Sequence, residues 1–281
     1  MSVTEAAQGW TGEFRKPRNS AAQAKGSIHD DATASKLGFK GGTVAGSIHM
    51  DQFVPGLVEL YGERWFETGA MSLYFTQATV DAEAVRATIE AGEDHARLTM
   101  HNEDGAQICE GTACLGRDPR SELARRLEAQ TPTEPAALRI LKAMAIGEEH
   151  RDLPVRVEPD HLAAYLERIT EPMAAYRDDR VLPPAQVVHL AHMTRKAVLA
   201  KAAQPSVGLF GALEVEQFAG PLRAGVDYLA RTKVLKFSES PRTENVWYEV
   251  IFTDKAGGPD LGRVLYLLRF MKGSSPLWAQ A

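Results

Sequence analysis

The chain has 281 residues, 44% of them hydrophobic and 25% charged, with a formal net charge of -5. That balance fits one large or two ordinary globular domains. It offers no basic footprint for nucleic acid and no apolar run of about 18 residues to span a membrane. The opening segment lacks the apolar core of a secretory signal, so a reducing, cytoplasmic setting is expected.

Residues 44–61, "VAGSIHMDQFVPGLVELY", read as a mostly apolar helix that Pro55 and Gly56 should kink. Strand-like runs follow at 70–80, 84–92, 95–102 and 107–116, and "NEDG" at 102–105 predicts a hairpin turn. Cys109 and Cys114 stand five apart in the last run, on opposite strand faces, which argues against a disulfide or a zinc pair. Residues 117–150 break the pattern with a charged helix, "DPRSELARRLEAQ", and a "TPTEP" linker. The expected division is a first domain at 1–118, a linker with a helix at 119–150 and a second domain at 151–281.

The second half repeats the plan. Helices are predicted at 158–170, with Asp160 near the start, and at 183–203. The strands "GALEVEQFAG", "DYLARTKVLKFS", "NVWYEVIFTD" and "GRVLYLLRFMK" follow, with "DKAGG" at 254–258 as the last turn. A helix followed by an antiparallel meander thus occurs twice, which reads as a duplication. Aligning "IHDD" (28–31) with "YRDD" (176–179) pairs Asp30 and Asp31 with Asp178 and Asp179, and His29 with Arg177. Aligning "GGTVAGSIHM" (41–50) with "PAQVVHLAHM" (184–193) pairs His49 with His192.

The chemistry is concentrated in "GSIHDDATASKLGFKGGTVAGSIHM", residues 26–50. Histidine is the natural proton carrier near neutral pH, so His29 is the candidate acid or base. Asp31, or Asp30, could orient it or share the proton. The backbone N–H groups of Ala45 and Gly46, at a helix start, would polarise a carbonyl, and Gly46 would admit a ligand close to the backbone. The plainer alternatives are a helix cap for His29-Asp30-Asp31 and a tight turn for Gly41-Gly42. The spacing does not fit a phosphate-binding loop, and neither a GxSxG elbow nor a GxGxxG fingerprint occurs.

Outside that stretch, His49 and His192 read as helix histidines with a shared packing role or a retained place in a pocket. His189 and His192 stand three apart, half of a metal site that no further motif completes, so no metal or cofactor is expected. Arg177 could clamp a phosphate or carboxylate or form a surface salt bridge. His95 and His101 should face solvent, with His150 in the linker and His161 near a helix cap.

A long helix wrapped by an antiparallel sheet, twice in one chain, resembles the double hotdog fold, an α+β architecture. Residues 26–50 resemble the signature of the MaoC-like (R)-specific enoyl-CoA hydratases and dehydratases, through His29, Asp31, Gly38-Phe39, Gly41-Gly42 and Gly46. Two positions depart from it. The family's catalytic Asp, five residues before the His, is Ala24 here, and its helix-start His is Ala45.

The resemblance implies a hydro-lyase on an acyl thioester such as a 2-enoyl-CoA, with His29 moving the proton and Asp31 beside it. Ala45 and Gly46 would hold the thioester oxygen, and Gly41, Gly42, His49, Arg177 and His192 would complete the binding site. The pocket would lie between the halves. Two alternatives stay open: a hotdog thioesterase using Asp31 or Glu59, and a protein that binds an acyl group or a partner without turnover. Because the duplication supplies an internal pseudo-dimer, the chain could act as a monomer or as a homodimer.

Overall fold

The structure, a computed structural model, describes residues 9–279. The first half runs β1 (Gly9–Thr11), α1 (Asp31–Lys36), α2 (Gly46–Asp51), α3 (Val54–Tyr61), α4 (Arg64–Thr68), β2 (Gly69–Phe75), β3 (Val85–Glu90), β4 (Ala96–Asn102) and β5 (Gln107–Leu115). A connecting helix, α5 (Glu122–Ala129), leads to the second half. That half runs β6 (Glu149–Val155), α6 (Pro159–Leu166), α7 (Ala174–Asp178), α8 (Pro184–His192), α9 (Arg195–Val198), β7 (Gly208–Gln217), β8 (Tyr228–Glu239), β9 (Thr243–Asp254) and β10 (Asp260–Met271).

The described strands form one antiparallel sheet in the order β1-β3-β4-β5-β2-β7-β10-β9-β8-β6. The order is symmetric about the β2–β7 seam, with short strands at both ends, so the duplication is written into the topology. The seam pairs Leu73 with Leu213 and ends at Tyr74 and Ala212. Alternation drives the outer strands: Val85, Ala87 and Ile89 of β3 are buried while Arg86 and Glu90 are exposed.

The sheet separates two apolar layers. The larger, inner layer gathers Leu73 and Phe75 of β2, Leu268 and Phe270 of β10, Met50 of α2 and Val188 of α8. The smaller, outer layer lies under α5 and gathers Leu123, Trp247 and Leu267, with Tyr74 packed against it. Polar bonds fasten α5 there: Leu123 N donates to Ser72 Oγ at 2.9 Å, and Trp247 Nε1 donates to Gln130 Oε1 at 2.6 Å. Beneath it, Arg263 pairs with the buried Glu214 and Glu216.

The expected single central helix is two helices in each half. In the first, α2 ends at Asp51 and α3 restarts at Val54 with Pro55 in its first turn. Proline lacks the N–H that a continuous helix would need, yet it suits a helix start. In the second, α8 ends at His192 and α9 is a short segment beyond Thr194. Trp10 of β1 packs on Gly56, where a Cβ would sit 2.3 Å from the indole.

The alignment of the halves also shifts. Thr43 and Val181 each form an isolated bridge three residues before a helix start, at Gly46 and Pro184. That register sets Asp51 against His189 and moves His49 out of alignment with His192. Asp30 precedes α1 whereas Asp178 closes α7, so these aspartates are not equivalent either. His150 stands on the edge strand β6 rather than in a linker, and His161 sits inside α6, its ring stacked on His189 with centroids 4.4 Å apart. His95 and His101 are part-buried, His95 facing Asp118 at 3.3 Å. No described helix is long and apolar enough to cross a membrane.

Candidate active site

A cavity of about 1070 Å³ lies where the two halves meet. The first half contributes His29, Thr43, Ala45, Gly46, His49 and Thr79, and the second contributes Val188, His189, His192, Arg195 and Phe210. Its wall includes Phe75 and Leu268 from the inner layer and Tyr74, Trp247 and Leu267 from the outer. The cavity therefore passes the end of the β2–β7 seam and reaches both faces of the sheet. Among the described residues, no aspartate or glutamate lines it.

His29 is part-buried at the inner side. Its Nδ1 lies 2.8 Å from the Thr43 carbonyl oxygen. A carbonyl can only accept, so Nδ1 carries the proton and the neutral ring presents Nε2 as a free base. The His29 backbone is held as well: its carbonyl accepts from Asn19 Nδ2 at 2.8 Å, and the Ile28 carbonyl accepts from Thr43 N at 2.9 Å.

The two aspartates beside it hold the chain. Asp30 is the N-cap of α1, its Oδ1 accepting from Ala32 N at 3.1 Å and Thr33 N at 3.3 Å. The Thr33 hydroxyl first, and then backbone N–H groups including these two, hold its carboxyl below the usual carboxylate range. Asp31 is exposed and accepts from Gly42 N at 2.7 Å. Gly41 and Gly42 thus form a turn fastened by Asp31, outside the cavity wall. Gly42 has a steric duty besides, since a Cβ there would sit 2.3 Å from the His29 carbonyl oxygen.

Ala45 precedes α2 as its N-cap residue, and no side chain caps that helix start. The Gly46 N–H, at the first helical position, has no intrahelical acceptor. Phe75 packs directly on Gly46, where a Cβ would come 2.8 Å from the ring. Glycine is therefore demanded by an aromatic neighbour within the protein. His49 is fully buried, with Nε2 2.8 Å from Thr79 Oγ1 and Nδ1 unpartnered. Burial pushes it down to about 4.

His192 faces the same chamber from α8. Burial, then the charges of Arg195, His189 and His29, push it down to about 4, so it is neutral at physiological pH. His189 is lowered by burial and by its neighbour His161. Arg177 lies elsewhere, in a separate groove with Asp160, Tyr176 and Arg180. Glu59 is exposed on α3.

Sequence reasoning missed three members of this site. The Thr43 carbonyl orients His29, and a backbone acceptor leaves no trace in residue types. Thr79 holds His49 from a loop thirty residues away. Arg195 did carry a signal, since His189, His192 and Arg195 recur every third residue toward one face.

No protein-family model and no curated protein matches this sequence. Solved structures do match its shape. A double hotdog protein from Mycobacterium tuberculosis, Rv0216, is 12% identical over 95% of this chain and 97% of its own, with a TM-score of 0.63. A MaoC domain protein from Chloroflexus aurantiacus is 12% identical over 95% of each chain, with a TM-score of 0.62. A MaoC-like dehydratase is 11% identical over 95% and 98%, with a TM-score of 0.56. The chain has the double hotdog fold, the architecture of those MaoC-like proteins.

Proposed function

We propose that the protein is a MaoC-like hydratase or dehydratase that adds water to, or removes it from, an acyl thioester of the 2-enoyl/3-hydroxyacyl kind. The observation that carries this reading is the His29 ring, whose Nδ1 is committed to the Thr43 carbonyl at 2.8 Å, so that Nε2 is a free base in a cavity between the halves. The dehydratase among the similar folds supports the same class.

With no carboxylate among the described residues of the cavity wall, His29 carries both proton transfers. Nε2 takes a proton from water as the water oxygen bonds to Cβ and the double-bond electrons move toward the thioester carbonyl. The imidazolium then returns that proton to Cα. The N–H groups of Ala45 and Gly46 stabilise the enolate oxygen between the two steps. Elimination runs the same path backwards. One base serving both carbons delivers hydrogen and hydroxyl to the same face of the alkene. Asp30 and Asp31 act on the loop that carries His29, and His49 and His192, both neutral, form the wall beside it.

A second reading draws on the same absence of a carboxylate. The cavity binds an acyl thioester without turning it over. Asp31 and Glu59, the carboxylates a thioesterase would use, lie outside the wall.

The test follows the conjugated enoyl absorbance of a short trans-2-enoyl-CoA, with free thiol monitored in parallel. Wild type should lose the band without releasing thiol, and His29→Ala should be slower by about 10²- to 10⁴-fold. In deuterium oxide the product should carry deuterium at Cα, syn to the hydroxyl. Thiol release, or hydration that persists in His29→Ala, would sink the proposal. Binding without turnover in both proteins would favour the second reading.

A further inference from the structure

The inner chamber holds a charge that hydration does not use. Arg195 opens α9 just beyond His192, is part-buried and lines the cavity. A Cβ on Gly208 would come 3.3 Å from an Arg195 Nη atom and 3.5 Å from Phe270. The guanidinium therefore lies against the start of β7 on the inner face, near Leu268 and Phe270.

The other cavity arginines differ. Arg126 pairs with Glu110 and Glu122 and stacks on Tyr74, while Arg269 donates to the Tyr74 hydroxyl at 2.7 Å. Both stand on the outer face with Tyr74. Arg242 is exposed at the mouth. Among the described residues, Arg195 alone sits inside, and no acidic side chain lines the cavity to meet it. Neither His192 nor His189 adds charge at neutral pH, since both are shifted toward the neutral form. A part-buried guanidinium between apolar walls is costly until an anion reaches it. The missing anion is then expected on the ligand.

We propose that Arg195 is a specificity residue that receives a second carboxylate on the acyl chain, so that the cavity selects a short dicarboxylic acyl thioester. This rests on the acyl-thioester reading and adds the substrate class. Arg195, His192 and His29 line one cavity, so the carboxylate is received in the same chamber as the reacting carbons. A guanidinium fork holds a carboxylate through two parallel bonds, a geometry that lysine cannot copy. The outer arginines, Arg126 and Arg269, are already engaged by Glu110, Glu122 and Tyr74 on the other side of the sheet.

The deciding measurement is calorimetric binding of adipoyl-CoA and hexanoyl-CoA, which differ only in the terminal carboxylate. Wild type should bind adipoyl-CoA about tenfold or more tighter. Arg195→Gln should bring the ratio to about one, and Arg195→Lys should fall between. Equal binding by wild type, a preference for hexanoyl-CoA, or binding of neither overturns the inference. So does Arg195→Gln weakening both alike, which would assign the side chain to the phosphates of the carrier or to the fold. If Arg195→Gln does not fold, the wild-type ratio and its drop in Arg195→Lys decide. Because both ligands are saturated, the result is independent of catalysis. A preference that depends on Arg195, in a protein that hydrates no enoyl thioester, would leave this inference standing and remove the hydratase reading.

Discussion

The two helices that meet at the centre of the molecule begin in opposite ways. The start of α8 is sealed: Ala185 N donates to Asp51 Oδ1 at 2.9 Å, and the Tyr165 hydroxyl donates to the same carboxyl. Pro183 and Pro184 stand where a helix start has N–H groups to spare. The start of α2 is open: among the described residues no side chain caps it, and Ala45 and Gly46 line the cavity. The position matching Asp51 is His189, which also lines the cavity. One helix start has become a joint between the halves, and the other faces a chamber. A duplicated fold can divide a feature in this way because each copy supports the other, so only one start has to be closed.

The comparison can be broken first on the open side. Gly42→Ala should be the most damaging small substitution there. Its Cβ would fall 2.3 Å from the His29 carbonyl oxygen, and the main chain carrying His29 must move. A displacement of about 1 Å at a reacting group can cost on the order of 10² in rate. We expect at least that loss in enoyl hydration with substrate binding retained. Wild-type rates in Gly42→Ala would mean that His29 is not placed by this loop.

On the sealed side, Asp51→Ala should act on stability. It strands a buried backbone N–H and a buried tyrosine hydroxyl, each costing about 1 to 3 kcal/mol. We expect about 2 to 4 kcal/mol in urea unfolding, and a smaller loss for Asp51→Asn, which keeps an acceptor. If both substitutions cost under about 0.5 kcal/mol, the seal is not what joins the halves.

How far the sequence reveals this depends on which forces set each part. Strand alternation and the turn residues Gly105 and Gly257 are local, and the meanders are legible from them. The helices look longer in sequence than they are because neither Gln52–Phe53 nor Met193–Thr194, where each helix is interrupted, contains a glycine or proline. The register between halves is not legible from matching histidines, because backbone bridges set the helix starts. Within the site, His29 and the helix start at Ala45–Gly46 were legible from residue type and glycine spacing. The duties of Asp30, Asp31, Gly42 and Gly46 were not, since a capping aspartate, a turn glycine and a ligand-binding one look alike until their neighbours are known. Arg195 stands out only against a cavity wall in which no described residue is acidic.

Least visible at any single pH is a pair of substitutions on α2 that should tilt the pH dependence of stability in opposite senses. Burial raises the Asp51 carboxyl from an ordinary 3.8 to about 7, against the pull of its Tyr165 and Ala185 bonds. The folded state holds that proton more tightly than the unfolded chain. Its contribution is full below about pH 4 and is lost as pH rises through about 7. Burial lowers His49 from 6.5 to about 4, so the folded state holds its proton less tightly. That contribution is present above 6.5 and is lost as pH falls through about 4. Between those limits the two oppose each other, and wild type shows only their difference. Asp51→Asn removes the carboxyl, so its urea midpoint should fall more steeply than wild type between about pH 7 and 5. His49→Gln removes the histidine, so its midpoint should fall less steeply over the same range. His192 shares the sense of His49 and is untouched in both variants. Midpoints that run parallel to wild type in both would show that neither group changes its proton affinity on folding, and the contrast between sealed and open helix starts would lose its electrostatic side.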